Sequence, residues 1–162
     1  MRGMQGITKE ARPQTGEGRV MPTPPRGVRV VAAYLSLVAV GTTAYWIAFF
    51  TLGNVQVRTD EVYLAFERAF PLADAWMTAC ALIGAVGLWR GRSWGFLCGL
   101  LASSSLVFLG CLDVLFSLNE GNYRIASQAM ATEIAIEVVC LGGGPAVIAY
   151  LWVHRRALLR DG

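Results

Sequence analysis

Charged residues fall in blocks along this chain, and the stretches between the blocks are long and apolar. No charged residue stands between Arg29 and Arg58, and residues 30–50 form the first apolar run. Further runs cover residues 71–89, 94–117 and 129–153. Each is about as long as the ~20 residues a helix needs to cross the hydrocarbon layer. The pattern predicts an all-α polytopic membrane protein, a bundle of four transmembrane helices spanning residues 30–153. Residues 1–29 and 154–162 are left as basic tails.

Composition agrees with the pattern. Charged residues are 15% of the 162, against about 25% in soluble domains, and mean hydropathy is +0.49. Four crossings use nearly all of the chain, so a Rossmann unit, a TIM barrel and a second globular domain are excluded.

The distribution of Arg and Lys predicts orientation, because basic residues near the end of a span resist translocation. Residues 1–29 carry six of the 14 basic residues, Arg90 and Arg92 add two, and Arg155, Arg156 and Arg160 add three. Only Arg58, Arg68 and Arg124 fall on the other side of a four-span arrangement. Both termini are therefore expected in the cytoplasm and the bundle in the cell (plasma or inner) membrane. Trp89, Trp94 and Trp152 fall at predicted inner ends and Trp46 and Trp76 near outer ones, where amphipathic rings favour the interface. The first 29 residues, with Pro13, Pro22, Pro24 and Pro25 and few apolar side chains, read as a disordered cytoplasmic tail. Their net charge of +4 suits anionic headgroups at the inner leaflet, although fixing topology alone would account for it. A cleaved signal peptide is not expected, because the polar lead is too long and no small-residue cleavage site follows.

The outer loops carry more pattern. Val62, Phe66 and Phe70 recur every four residues among Asp60, Glu61, Glu67 and Arg68, which predicts a short interfacial helix leading into the second span. Pro71 then stands where a helix tolerates proline, in its first turn. Residues 119–122 read as a turn, and Ser127 as a cap for the fourth span.

Within the spans, charge is confined to four carboxylates, Asp74, Asp113, Glu133 and Glu137. Each costs about 2.5–3.5 kcal/mol at mid-bilayer on insertion scales, so such groups face protein or water and not lipid. At ~1.5 Å per residue all four lie within roughly 12 Å of the outer interface. Stepping ~100° per residue places Glu133, Glu137, Cys140 and Gly144 on one face, and Asp74 and Thr78 on another. Gly95, Gly99, Ala102 and Asp113 share a third stripe, with Ser103 and Gly110 beside it. Small residues mark where membrane helices approach closely, so the acids are expected to point inward around an outward-facing polar pocket. Tyr45, Thr78, Arg68 and Arg124 are the candidates to support it.

Two readings of that pocket stay open. In one, Asp74 answers the positive end of its helix, Arg68 or Arg124 pairs with a neighbour, and the acids only hold the bundle together. In the other, the clustered carboxylates bind a cation, an amine or a proton. A transport-associated or accessory subunit fits the latter. The alternative from another class is an intramembrane enzyme on a lipid-like substrate, with Glu137 or Asp113 as acid or base. The fourth span also carries Gly142, Gly143, Gly144 and Pro145. Proline removes the amide that would bond to the Leu141 carbonyl, which predicts a kink or an unwound turn.

Other chemistry is unsupported. Cys80, Cys98, Cys111 and Cys140 form no C-x-x-C and read as inert buried thiols. The single histidine, His154, lies at the inner end beside Arg155 and Arg156, which leaves no bis-histidine haem, no histidine-rich metal site and no triad with the acids. No cofactor is implied. The partners expected are the lipid bilayer and either a second copy of the chain or another membrane protein, with nothing that would address nucleic acid.

The segments Phe66-Glu-Arg-Ala-Phe-Pro-Leu-Ala-Asp74, Gly110-Cys-Leu-Asp113 and Asn119-Glu-Gly-Asn-Tyr123 resemble a group of small uncharacterised bacterial four-helix membrane proteins. The likeness covers the second and third spans with their outer loops, under half of the chain. It implies the four-span architecture and no particular activity.

Overall fold

A computed structural model describes residues 26–53 and 55–159. It is all-α, with no strand among the described residues. Helix α1 covers Arg26–Thr51, the short α2 Glu61–Glu67, α3 Pro71–Trp89 and α4 Ser93–Glu120. A 3-10 turn at Asn122–Arg124 leads to α5 (Gln128–Val138), which passes through a π-turn (Val139–Gly143) into α6 (Gly144–Leu158). Four helical segments are long and apolar enough to cross a membrane: Gly27–Thr51, Glu61–Trp89, Ser93–Glu120 and Gln128–Leu158. They form a four-helix bundle.

The predicted disorder of residues 1–25, like the last residues of the C-terminal tail, lies outside the described residues. Residues 26–29 are helical, so α1 starts before the apolar run that predicted it. Packing extends it: Val28 is buried, and Gly27 lies against the ring of Tyr150 in α6, where a Cβ would meet the hydroxyl at 2.5 Å. That approach also places both ends of the bundle's chain at the same end of the structure.

Helices α3 and α4 meet backbone to backbone. Between them Gly91, at φ 64°, takes the left-handed conformation that the tight turn needs. A Cβ on Gly84 would come within 2.8 Å of Gly99 N, and Gly87 and Gly95 touch through their main chains. The expected small-residue stripe of α4 thus divides between neighbours. Gly95 faces α3, whereas Gly110 faces Cys140 and Ser103 faces Gly144 across the other side.

The glycine-proline segment interrupts the α-helical ladder with a π-turn. Because Pro145 offers no N–H, the ladder lengthens by one residue over Val139–Gly143 and resumes with Pro145 in the first turn of α6. The Tyr34 hydroxyl donates to the Val139 carbonyl at 2.8 Å, adding a partner where the ladder is widest. Gly143 faces the Tyr34 ring and Gly144 packs under α4.

At the far end from the termini, Asp60 caps α2 by accepting from Tyr63 N at 3.2 Å, Pro71 opens α3, and Ser127 caps α5 through Met130 N. The turn expected at residues 119–122 is shorter than the sequence suggests. Asn119 and Glu120 complete α4, and Gly121, at φ 69°, ends it. The face of α2 also differs from expectation. Val62 is 59% exposed, while Tyr63 and Glu67 are buried and Phe66 stacks flat on Phe116 at 3.8 Å. An outward valine carries little penalty at a membrane boundary, so the helix turns its hydrogen-bonding side chains to the bundle.

Candidate functional site

Five carboxylates gather at the end of the bundle opposite the termini, each supplied by a helix whose packing holds it there. Glu133 and Glu137 stand one turn apart on α5, ahead of Cys140, which fills the hollow at Gly110. Asp113 projects from α4 three residues beyond that glycine. Asp74 sits in the first turn of α3. The fifth, Glu67, was not expected here: it was counted with the polar residues of the outer loop, but α2 directs it inward until only 7% is exposed.

Neutral donors hold four of the five. The Tyr63 hydroxyl donates to Glu133 Oε1 at 2.6 Å, Tyr123 to Glu137 Oε1 at 2.8 Å, Trp46 Nε1 to Asp74 Oδ2 at 2.8 Å, and Tyr45 to Glu67 Oε2 at a long 3.4 Å. Asp113 has no hydrogen-bond partner among the described residues and lies within electrostatic reach of Glu133, Glu137 and Asp74. Glu67 is similarly within reach of Glu133 and Asp113. The structure therefore brings the four expected acids into one electrostatic neighbourhood and adds a fifth.

Of the supporting residues predicted, Tyr45 is in place. Thr78 lies one turn along α3 from Asp74, and both line a groove between α1 and α3. Arg68 and Arg124 do not support the pocket. Both are exposed and make no ion pair among the described residues, because one closes the outer end of α2 and the other ends the 3-10 turn, each free to extend to water. The basic residue that does order this end is Arg58, which pairs with Asp60 at 2.6 Å and Glu120 at 3.2 Å and reaches Asn122 Oδ1 at 3.4 Å. It belongs to a clasp over the loops and neutralises none of the five clustered acids. The Tyr63 amide, followed by Arg58, holds the Asp60 carboxyl below the ordinary carboxylate range.

Tyr63, Trp46, Tyr123 and Glu67 are not among the pocket residues expected from the sequence. The available signal was the four-residue interval between Tyr63 and Glu67, which places both on one face of any helix through that segment. Not all thiols are buried, as expected from their position within spans. Cys80 and Cys140 are, but Cys111 is exposed, because the outward face of a membrane helix meets lipid and not protein.

Among the described residues no three His, Cys, Asp or Glu side chains converge tightly enough to hold a metal ion. What the arrangement offers instead is acid oxygens set among aromatic rings, with no cation of its own. Carboxylates in a low dielectric without basic partners must be neutralised, by protons or by a cation from outside. Compared with known proteins, the chain matches no family model, no curated protein and no solved structure.

Proposed function

We propose that this chain is an integral protein of the cell (plasma or inner) membrane that binds an organic cation or amine in the acid cluster, as a transport-associated or accessory subunit. In this reading both termini are cytoplasmic, as the excess of Arg and Lys on that side favours, and the cluster opens toward the outer face. The observation that carries the reading is the company Asp113 keeps: an acid without a hydrogen-bond donor, among acids held by Tyr63, Tyr123 and Trp46. A small organic cation satisfies both parts of such a site, since its charge answers the carboxylates and its alkyl groups rest on aromatic faces. A metal ion is less well served, because it needs several oxygens on one point.

The experiment is binding of tetramethylammonium to the purified chain in phosphatidylcholine nanodiscs. Asp113→Asn and Glu137→Gln keep shape while removing charge, the latter still accepting from Tyr123, and each is expected to weaken binding at least tenfold. Affinity unchanged in both variants, or no binding by the unaltered chain, overturns the reading.

A further inference from the structure

A groove of about 640 Å³ runs between α1 and α3 on the outer side of the bundle. That volume is in the usual range of small-molecule sites, roughly 300–1,000 Å³. Its walls are mostly apolar, formed by residues such as Ile47, Phe50 and Leu82, which are exposed on the surface of the bundle. One charged residue lines it, Asp74. Trp46 fixes Asp74 through Oδ2, leaving Oδ1 without a hydrogen bond among the described residues, and presents its own ring to the same groove.

We infer that this groove admits an amphiphilic amine from the bilayer, its ammonium held by Asp74 and Trp46 and its single hydrocarbon chain lying along the apolar walls. Depth and charge select this occupant. Asp74 stands three residues past Pro71, about 4.5 Å into the helix, and Leu82 about 12 Å deeper, so a head near the interface would send its tail toward the membrane centre. No lining residue is basic. A fatty acid would bring its carboxylate against Asp74 uncompensated, and a phospholipid would bring its phosphate and a second chain along with any ammonium it carries, whereas an alkylammonium brings the complementary charge alone and rests on the Trp46 ring. Asp74 is also within electrostatic reach of Asp113. The groove shares Asp74 with the acid cluster, and the inference deepens the cation-binding reading by naming a lipophilic amine as the class of ligand.

The test uses the full chain in phosphatidylcholine nanodiscs, with dodecylammonium as probe, dodecanol as its uncharged counterpart and tetramethylammonium as the cation without a tail. Asp74→Asn removes the charge but still accepts from Trp46. Ala75→Phe fills the groove from an exposed position that no core packing depends on. Dodecylammonium should bind the unaltered chain, with affinity at least tenfold lower in each variant, and dodecanol should bind no better than to empty discs. Tetramethylammonium binding should survive Ala75→Phe. Equal dodecylammonium affinity in Ala75→Phe, or equal affinity for dodecanol, overturns the inference, as does a dimer of the unaltered chain that Ala75→Phe turns into a monomer. If dodecylammonium binds as expected while tetramethylammonium does not bind at all, the groove stands as a site and the central cluster fails as one.

Discussion

The Tyr63 hydroxyl and the Glu133 carboxylate meet at 2.6 Å although 70 positions separate them along the chain. This bond ties α2 to α5, and Tyr63 is 1% exposed, so its hydroxyl has no water to fall back on.

Tyr63→Phe keeps the ring against Phe116 and removes the hydroxyl, which donates to Glu133 and accepts from Val57 N at 3.2 Å. It is expected to lower stability by about 1–2 kcal/mol, the range for a hydrogen bond to an acid moderated by the weaker values measured between membrane helices. Thermal unfolding in nanodiscs reads the change. Glu133→Gln, which still accepts the bond, should cost less than Tyr63→Phe.

The glycines of the fourth segment should differ in tolerance. Gly143 faces the Tyr34 ring, and a Cβ there would collide with it, whereas nothing lies within 4 Å of the Cβ position on Gly142. Gly143→Ala is expected to cost roughly 1–3 kcal/mol through overpacking and loss of the Tyr34 to Val139 bond. Gly142→Ala should be neutral or stabilising by up to about 1 kcal/mol, through helix propensity. Equal melting temperatures for the two variants would contradict this account.

Gly95→Ala tests the α3–α4 contact. Here the obstacle is the main chain of Gly87 and Leu88, which cannot swing aside as a side chain can. Destabilisation should reach about 3 kcal/mol, the upper part of the overpacking range. Thermal unfolding should show a larger loss than for Gly143→Ala.

The Arg58 clasp predicts a pH dependence at the loops. The folded-state pKa of Asp60 is depressed, so its contribution is present in full above the unfolded value of about 3.9 and is lost as pH falls through the lower folded value. Protection of the α2 amides against hydrogen exchange, taken relative to the intrinsic rate at each pH, should therefore fall in acid below about pH 4. Arg58→Gln should lower it already at neutral pH, by a small amount that salt reduces further.

The legible part of this molecule was what depends on long runs and backbone needs. Long apolar, charge-poor intervals marked the four crossings. Gly95 and Gly99 announced a close helix contact, Pro71 a helix start and Ser127 a cap. Facing on short elements was less accessible. In α2 the interval Val62–Phe66–Phe70 suggested an apolar face, but the hydrogen-bonding demand of Tyr63 and Glu67 outweighed the burial of one valine. That same rotation explains why Glu67 was missing from the expected cluster. Arg68 and Arg124 were misplaced for the opposite reason: proximity along the chain suggested pairing, yet long side chains at element ends reach water more cheaply than a buried acid.

The π-turn at Val139–Gly143 makes the fourth segment a helix with a built-in phase shift. One extra residue in the ladder turns everything after it by about 100° relative to an unbroken helix. Glu133 and Glu137 before the turn face the acid cluster, and Gly144 and Leu151 beyond it meet α4 and the core. The extra residue is thus spare as far as facing goes: deleting one residue from the turn would restore a regular helix and leave both halves facing the bundle as they do now.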